Sequence, residues 1–425
     1  MQREMNLETA SEQEDGNERA RAAADHAART SYGKLVAFLA MRTRDVAAAE
    51  DALSDAFATA LAEWSDGGCP RNPEAWLLTV ARRKLIDNFR GAQRREALAS
   101  ELSLIEEALH TPVTDEIPDE RLAMIFACAH PSIDAGVRAP LILQTVLGLD
   151  AKRIASAFLA SPAAMSKRLV RAKEKIRQAG IPFRVPAREE LPQRLGAVLD
   201  AIYAAFAEGW TDPAGADTAR RDLAEEALFL ARLVTMLLPG EAEALGLLAL
   251  LLYAEARRLA RRGASGEFVP LAEQDQALWD RALIAEAEAL LLRASALGDI
   301  GRFQLEAAIQ SAHVDRCLHS VTNWSHVVGL YDGLFALTGS PVVLLNRALA
   351  IAALDGPASG LAAMPSASDD PRLIEYQPYW AARADLLARN GASAEARAAL
   401  EIAMGLERDP AVRRFLEQQR AALPD

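Results

Sequence analysis

The 425-residue sequence has few features typical of membrane proteins or of proteins from oxidising compartments. It contains three cysteines, Cys69, Cys128 and Cys317, whose odd number and wide spacing argue against a disulfide framework. No apolar run is long enough to span a bilayer, and the acidic N-terminus does not have the pattern of a signal peptide. These absences predict a cytoplasmic protein in a reducing environment, with no membrane partner.

Patterns for catalysis and metal binding are also missing. No nucleophile stands at the spacing of a general base, so no catalytic residue and no cofactor are expected. Cys128 and His130 lie two residues apart, but one such pair is weak support for zinc, and a buried thiol beside a helix-end imidazole is favoured. A polar segment is interpreted as a loop that caps and orders a helix pair rather than as an active site; it contains Glu267, Glu273, Gln274, Asp275, Trp279 and Asp280.

The composition predicts an all-α protein. Hydrophobic residues make up 51% of the chain, Ala and Leu dominate, and the alternation of β-branched residues typical of strands is scarce. Nearly every long segment has helical periodicity, and the length allows two to four domains. The net charge is −12, but most of the excess acid follows Val185, whereas basic residues concentrate in two earlier segments.

One basic segment, residues 149–179, has the pattern of a helix-turn-helix. Asp150 can cap the first helix, and Ser161 followed by Pro162 is a typical start for the second. The second helix places four apolar residues on one stripe and bases on its other faces; the stripe is Met165, Leu169, Ala172 and Ile176. Such a helix fits the major groove of DNA. The alternative is a solvated basic helix within an ordinary helical bundle.

Two earlier helices differ in charge. Asp45 is expected to cap a helix at 46–64 with an acidic outer face and a buried stripe of Ala49, Leu53, Phe57, Ala60, Leu61 and Trp64. A loop rich in Gly and Pro follows, and then a basic helix at 74–95 that carries Trp76. An acidic helix beside a basic, aromatic one suits a surface that contacts a protein on one side and nucleic acid on the other.

Segments 45–57 and 72–87 resemble region 2 of bacterial RNA polymerase sigma factors of the extracytoplasmic-function group, which are sigma-70-like. The helix-turn-helix resembles region 4 of the same group, and the two motifs stand in the family's order. The resemblance implies a transcription-initiation subunit that binds the clamp of core RNA polymerase and promoter DNA.

The resemblance also implies roles for individual residues. The helix-turn-helix would contact the upstream (minus-thirty-five) promoter element through Lys152, Arg153, Ala163, Ser166, Lys167, Arg168, Arg171, Lys173 and Lys175. The basic helix and the loop before it would hold the downstream (minus-ten) element through Asn72, Trp76, Arg82, Arg83, Lys84, Asn88, Arg90 and Arg94. The clamp would be bound by Asp45, Glu50, Asp51, Asp55, Phe57 and Trp64.

Five segments are predicted: a mobile tail at 1–24, a region 2-like domain at 25–98, a linker at 99–119, a region 4-like domain at 120–185 and a helical extension at 186–425. Near its end, the extension has small and apolar residues at the positions of a tetratricopeptide unit, namely Ala384, Leu387, Gly391, Ala396, Leu400 and Ala403. Segments 126–131, 181–186, 206–210 and 266–275 resemble those of a sigma subgroup with a tetratricopeptide-like extension. This extension is expected to regulate activity or to dock a protein partner.

Two other functions fit the sequence less completely. A free-standing helix-turn-helix regulator with a ligand- or protein-sensing helical domain would leave segment 32–95 without a role. A tetratricopeptide scaffold whose basic helices bind acidic proteins is the third hypothesis.

Overall fold

A computed structural model describes residues 22–28, 31–93, 120–158, 160–182, 184, 186–210, 218–319 and 323–424. Over these residues the chain is α-helical and contains no strand, which confirms the predicted class. Most of the predicted N-terminal tail and the whole predicted linker at 99–119 lie outside the described residues.

The helices are numbered in chain order. After a helical segment at 22–28, the first nine numbered helices are 31–43 (α1), Val46–Gly67 (α2), Pro73–Gln93 (α3), Arg121–Cys128 (α4), Ala135–Thr145 (α5), Ala151–Ala157 (α6), Pro162–Gln178 (α7), Pro192–Trp210 (α8) and Thr218–Leu237 (α9). The next nine are Ala242–Glu255 (α10), Arg281–Ala296 (α11), Arg302–His319 (α12), Trp324–Thr338 (α13), Pro341–Asp355 (α14), Pro357–Ala363 (α15), Gln377–Arg389 (α16), Ser393–Leu406 (α17) and Pro410–Ala421 (α18).

The chain forms two compact units, and the first ends within α9, at Leu230. The boundary expected at 186 therefore lies inside the first unit. The physical reason is α8, which packs on α5 and buries its own apolar face, including Val198, Ile202 and Phe206. Arg194 of α8 also donates a hydrogen bond to the carbonyl oxygen of Phe126, at 3.3 Å. A segment assigned by sequence to the extension thus completes the core beneath the helix-turn-helix.

Local capping signals in the first unit are confirmed. Asp45 accepts a hydrogen bond from the Ala48 amide at 3.0 Å, and α2 begins directly after it. Ser161 accepts one from the Ala164 amide at 3.3 Å, and Pro162 is the first residue of α7. These side chains satisfy amides that a helix start leaves unpaired.

The expected buried stripe of α2 needs two corrections, because Phe57 is only half-buried and Leu61 lies outside the core. Leu61 is 44% exposed, whereas Ala52 and Ala56 are fully buried. Leu61 follows Ala60 directly and is therefore turned about 100° around the helix from it. Ala60 faces the core, so Leu61 cannot.

In the second unit, α16 and α17 form a helix pair joined by a short turn. The turn contains Gly391, whose φ of +82° favours glycine. The predicted small and apolar positions pack into one core, which includes Ala384, Leu387, Ala396, Leu400 and Ala403. The next helix, α18, begins at Pro410.

The polar loop of the second unit has the predicted capping role. Asp280 accepts hydrogen bonds from the amides of Ala282 and Leu283 at the start of α11, at 2.9 and 3.1 Å. Asp275 accepts one from Ala277 at 2.9 Å, and Trp279 between them is buried. None of the helices in the described residues combines the length and the apolar character that a bilayer crossing requires.

Candidate nucleic-acid interface

The second helix of the helix-turn-helix, α7, presents a basic face to solvent. Its four predicted stripe residues are buried, each no more than 5% exposed. The opposite faces carry exposed residues, which are Ala163, Ser166, Lys167, Arg168, Arg171 and Lys175. This division follows from the helical period, because residues three and four apart share a face.

Three of these bases line one groove. Arg168, Arg171 and Lys175 lie along one side of α7 and border a cavity of about 460 Å³. The other wall contains Ile133, Asp134 and Val137, at the start of α5. The three bases outnumber this one carboxylate, so the groove favours an anionic group such as a phosphate beside a base edge.

Two predicted DNA contacts of the helix-turn-helix do not share this exposed face. Lys173 forms an ion pair with Glu50 of α2, and its side chain is only 11% exposed. The Nε of Arg153 lies 3.3 Å from the Oε1 of Glu208 of α8. Both bases are thus engaged by carboxylates of the same unit, whereas Lys152 is exposed.

The acidic face of α2 is less uniform than the sequence suggests. Asp51 and Asp55 are exposed, and Asp55 lies 3.7 Å from the ammonium of Lys84. Glu50 is largely buried, and this burial raises the pKa of its carboxyl even though Lys173 opposes the shift. Asp45 is occupied as the cap of α2.

Two aromatic residues expected at the polymerase-binding face contribute to packing. Trp64 is 3% exposed, and its ring meets that of Trp76 edge to face, with centroids 5.3 Å apart. Phe57 is half-buried. Burial removes Trp64 from any surface, because α3 covers the end of α2.

The predicted DNA contacts in α3 and in the loop before it include both covered and exposed residues. Arg82 is 9% exposed and lies over the ring of Phe38, 5.2 Å from its centroid, so α1 covers it; burial, together with Arg42, lowers its pKa. Asn72 caps α3 by accepting from the Ala75 amide at 3.0 Å. Trp76 is half-buried against Trp64. The exposed members are Arg83, Lys84 and Asn88, while the side chain of Arg90 and all of Arg94 lie outside the description.

A close contact between α1 and the turn after α5 was not expected from the sequence. Gly33 lies so near the carbonyl oxygen of Val146 that a methyl group at Gly33 would overlap it. The ring of Tyr32 would be 3.1 Å from a Cβ at Gly148, whose φ is +65°. The only hint of this contact in the sequence is the position of Gly33 inside a helical segment. Glycine destabilises a helix there, and a close contact with another segment is one reason for its presence.

The buried thiol of Cys128 has the surroundings of a core residue. It is fully buried, lies 3.5 Å from the Thr145 hydroxyl, and burial raises its pKa to about 12. Within the described residues, no group of three or more potential ligands could hold a metal ion.

Two family models match parts of the chain. Residues 28–95 match the sigma-70 region 2 family, and residues 194–295 match a family of unknown function (DUF6596). The uncharacterized protein R00370 of Rhizobium meliloti (strain 1021) is 37% identical over 382 residues, which cover 88% of this chain and 90% of that protein. No solved structure matches the chain. The chain therefore belongs to the same family as R00370, and it carries a sigma-70 region 2 domain at residues 28–95.

Proposed function

We propose that this protein is a sigma factor of the extracytoplasmic-function group, which binds core RNA polymerase and directs promoter recognition and DNA opening. The observation that carries the proposal is the sigma-70 region 2 match over α1 to α3. The role requires recognition and strand separation rather than bond making, so the protein acts in the cytoplasm as a non-enzymatic subunit without a cofactor.

The helix-turn-helix would act as region 4 and contact the upstream element. Arg168 and Arg171 stand one turn apart on the exposed face of α7, where guanidinium groups can reach guanine edges. Lys167 and Lys175 flank them and would mainly neutralise phosphates. Ala163 and Ser166 are small and exposed near the start of α7, so they would allow the helix to approach the bases closely.

The exposed side of α3 would contact the downstream element. Arg83, Lys84 and Asn88 are exposed within two turns of one another, which suits binding along one strand. Trp76 is half-buried at the N-terminal end of α3 and would stack on an unpaired base. Arg82 and Asn72 would instead support α3, since one is covered by α1 and the other caps the helix.

The clamp of the polymerase would be bound by α2. Asp51 and Asp55 present charge, and the half-buried Phe57 adds an apolar edge beside them. In the conformation described here, Asp45 and Glu50 face bases of α7 and are not available to a partner.

The second unit would serve as a tetratricopeptide-like array that regulates activity or docks a protein. Its support is the helix pair α16–α17, in which residues at the small and apolar template positions form the core. Arrays of stacked helix pairs commonly bind proteins.

The first experiment is binding of the full-length chain to purified bacterial core RNA polymerase, followed by gel filtration. We expect a stable complex with the core enzyme and sequence-specific DNA binding only in that complex. A chain that ignores polymerase but binds a palindromic DNA site as a dimer would be a free-standing regulator instead.

A further inference from the structure

The second unit brings basic side chains together where the end of α12 faces the segment after α10. Gln310, His313 and Arg316 follow one another at intervals of three residues and share one face of α12. Helix α10 packs on α12, and Arg257, just after α10, donates a hydrogen bond to the Oε1 of Gln310 at 2.5 Å. We call Arg257, His313 and Arg316 the cationic cluster.

The polar loop of the second unit borders the same place. Gln276 of this loop donates a hydrogen bond to the carbonyl oxygen of Cys317, next to Arg316 on α12. The amide of Asp280 donates one to the carbonyl oxygen of Ala256 at 2.9 Å, directly before Arg257. The loop therefore joins the two segments that carry the cationic cluster.

The two arginines of the cationic cluster have no carboxylate partner in the described part of the chain. Arg257 donates to two neutral oxygens, the Oε1 of Gln310 and, at 3.1 Å, the carbonyl oxygen of Tyr253. Arg316 lies over the ring of Trp324, with its guanidinium carbon 5.6 Å from the ring centroid. Their positive charges are thus left without a counter-charge.

Other arginines of the segment after α10 do have such partners. Arg258 pairs with Glu255 at 2.6 Å, and Arg262 pairs with Asp409. The missing counter-charge is therefore specific to the cationic cluster and is not a general property of this segment.

The surroundings make the missing counter-charge costly. The three side chains of the cationic cluster are half-buried, and burial lowers the pKa of Arg257. Burial, with Arg316 and Arg257 nearby, also lowers the pKa of His313 to about 4. Partly desolvated cations destabilise a fold unless an anion neutralises them. Groups held in this way are more common at functional sites than elsewhere.

Unpaired hydrogen-bonding atoms lie in the same segments. Within the described residues, the Nε of Arg316, the Nδ1 of His313 and the indole nitrogen of Trp279 are buried without a partner. The Arg316 and Trp279 atoms can only donate, and the His313 nitrogen can donate too. The Oε1 of Gln274, in the polar loop, is an unpaired acceptor. Donors therefore predominate, which favours a ligand rich in acceptors.

We propose that the cationic cluster binds the phosphate group of a small molecule. Two guanidinium groups match the double charge and the several oxygens of a phosphate better than they match a single carboxylate. Half-burial leaves the site open to a ligand from solvent, and a bound phosphate would connect α10, α12 and the polar loop. The second unit would then respond to a phosphorylated compound. The site lies wholly within this unit and does not depend on the proposed function.

Calorimetric titration of the full-length chain with inorganic phosphate, at constant ionic strength in chloride, tests the site. We expect saturable binding of one phosphate per chain. Arg316→Met should weaken this binding by about tenfold or more, because a charge-assisted hydrogen bond is lost. The exposed Arg293→Met in α11 is the matched control and should bind as the wild type does. No saturable binding, or equal affinities in all three proteins, would overturn the proposal.

The conservative variant and a second anion sharpen the result. Arg316→Lys keeps the charge but loses the planar fork, so its affinity should lie between those of the wild type and Arg316→Met. Succinate, titrated in the same way, tests carboxylate ligands. Saturable binding of succinate without binding of phosphate would overturn the assignment to phosphate.

Stability without phosphate distinguishes a binding role from a packing role. Arg316→Met should melt at or above the wild-type temperature in phosphate-free buffer, because it removes an uncompensated cation. A lower melting temperature with unchanged phosphate affinity would make Arg316 a packing residue and overturn the proposal.

Hydrogen exchange in the wild type needs no variant and applies even if Arg316→Met fails to fold. Phosphate should slow the exchange of amides at 255–262, 271–280 and 310–318, which surround the cationic cluster. Slower exchange only in other segments would overturn the location of the site.

Discussion

The rings of Trp64 and Trp76 meet edge to face, with centroids 5.3 Å apart and planes inclined by 64°. Trp64 stands near the end of α2 and Trp76 near the start of α3, so this contact joins the two helices where they adjoin. The loop between them, which carries the exposed Cys69, is held at its base by this pair.

We predict that Trp64→Ala destabilises the protein. Removing a buried tryptophan leaves a cavity and costs about 3–5 kcal/mol of unfolding free energy. Urea unfolding followed by circular dichroism measures the loss, and Leu61→Ala is the matched control because Leu61 is 44% exposed. Unchanged stability together with lost polymerase binding would instead indicate that Trp64 belongs to the polymerase-binding face.

We predict that Arg168→Ala and Arg171→Ala weaken binding to an upstream promoter element by about 1–3 kcal/mol each. The measurement is titration of the polymerase complex with a cognate and a scrambled duplex at fixed salt. The exposed Arg293→Ala in α11 is a control for loss of one positive charge. An equal loss on both duplexes would make the two arginines phosphate contacts, and no loss on either would remove α7 from the interface.

We predict that Asp51→Lys weakens the association with core polymerase without unfolding the protein. Asp51 is exposed on α2, and exposed substitutions usually change stability by no more than about 0.5 kcal/mol. Polymerase binding is measured beside a thermal melt, with the exposed Glu417→Lys of α18 as the control. Full binding by Asp51→Lys would place the clamp-binding surface elsewhere.

We predict that His313 makes the second unit less stable in mild acid. Burial, with Arg316 and Arg257 nearby, lowers the pKa of His313 from 6.5 to about 4. Between these two values the unfolded chain binds a proton that the folded chain does not, so the free energy of unfolding falls as the pH is lowered. The loss due to this group is at most about 3 kcal/mol. Melting temperatures from pH 4 to pH 8 measure it.

His313→Gln should flatten this pH dependence, because the amide stays neutral. The exposed His326→Gln controls for the loss of a histidine. An unchanged profile in His313→Gln would show that other groups dominate the acid sensitivity.

We predict that a chain cut after Val185 is unstable, whereas one cut after Trp210 folds better. The shorter fragment lacks α8 and exposes the apolar surface of α5 that α8 covers. The shorter fragment also lacks Glu208, the ion-pair partner of Arg153. Thermal melts compare the stability of the two fragments. Equal melting temperatures would show that α8 is not part of the core of the first unit.

The sequence predicts local structure here better than tertiary contacts. The caps Asp45 and Ser161 and the apolar stripe of α7 follow from short-range rules, and all of them are found. The pairing of Lys173 with Glu50 joins residues 123 positions apart, and no helical pattern predicts which base meets which acid. Arg82 illustrates the same limit, since it belongs to a basic helix but lies under α1.

The domain boundary shows a different limit. Pro182 and Pro186, on either side of Val185, suggest that the region 4-like domain ends there. Helix α8 nevertheless continues the core of the first unit, because Val198, Ile202 and Phe206 need an apolar partner surface. The apolar face of a helix indicates that the helix packs against another element, but it does not identify that element.

The most direct test of the proposed function is transcription in vitro. Core RNA polymerase alone does not initiate at defined promoters, so the purified chain is added to it with a library of bacterial promoter fragments, and the 5′ ends of the transcripts are mapped. We predict discrete start sites that require the chain, and weaker initiation there with Arg168→Ala. Identical transcript ends with and without the chain would contradict a role in promoter recognition.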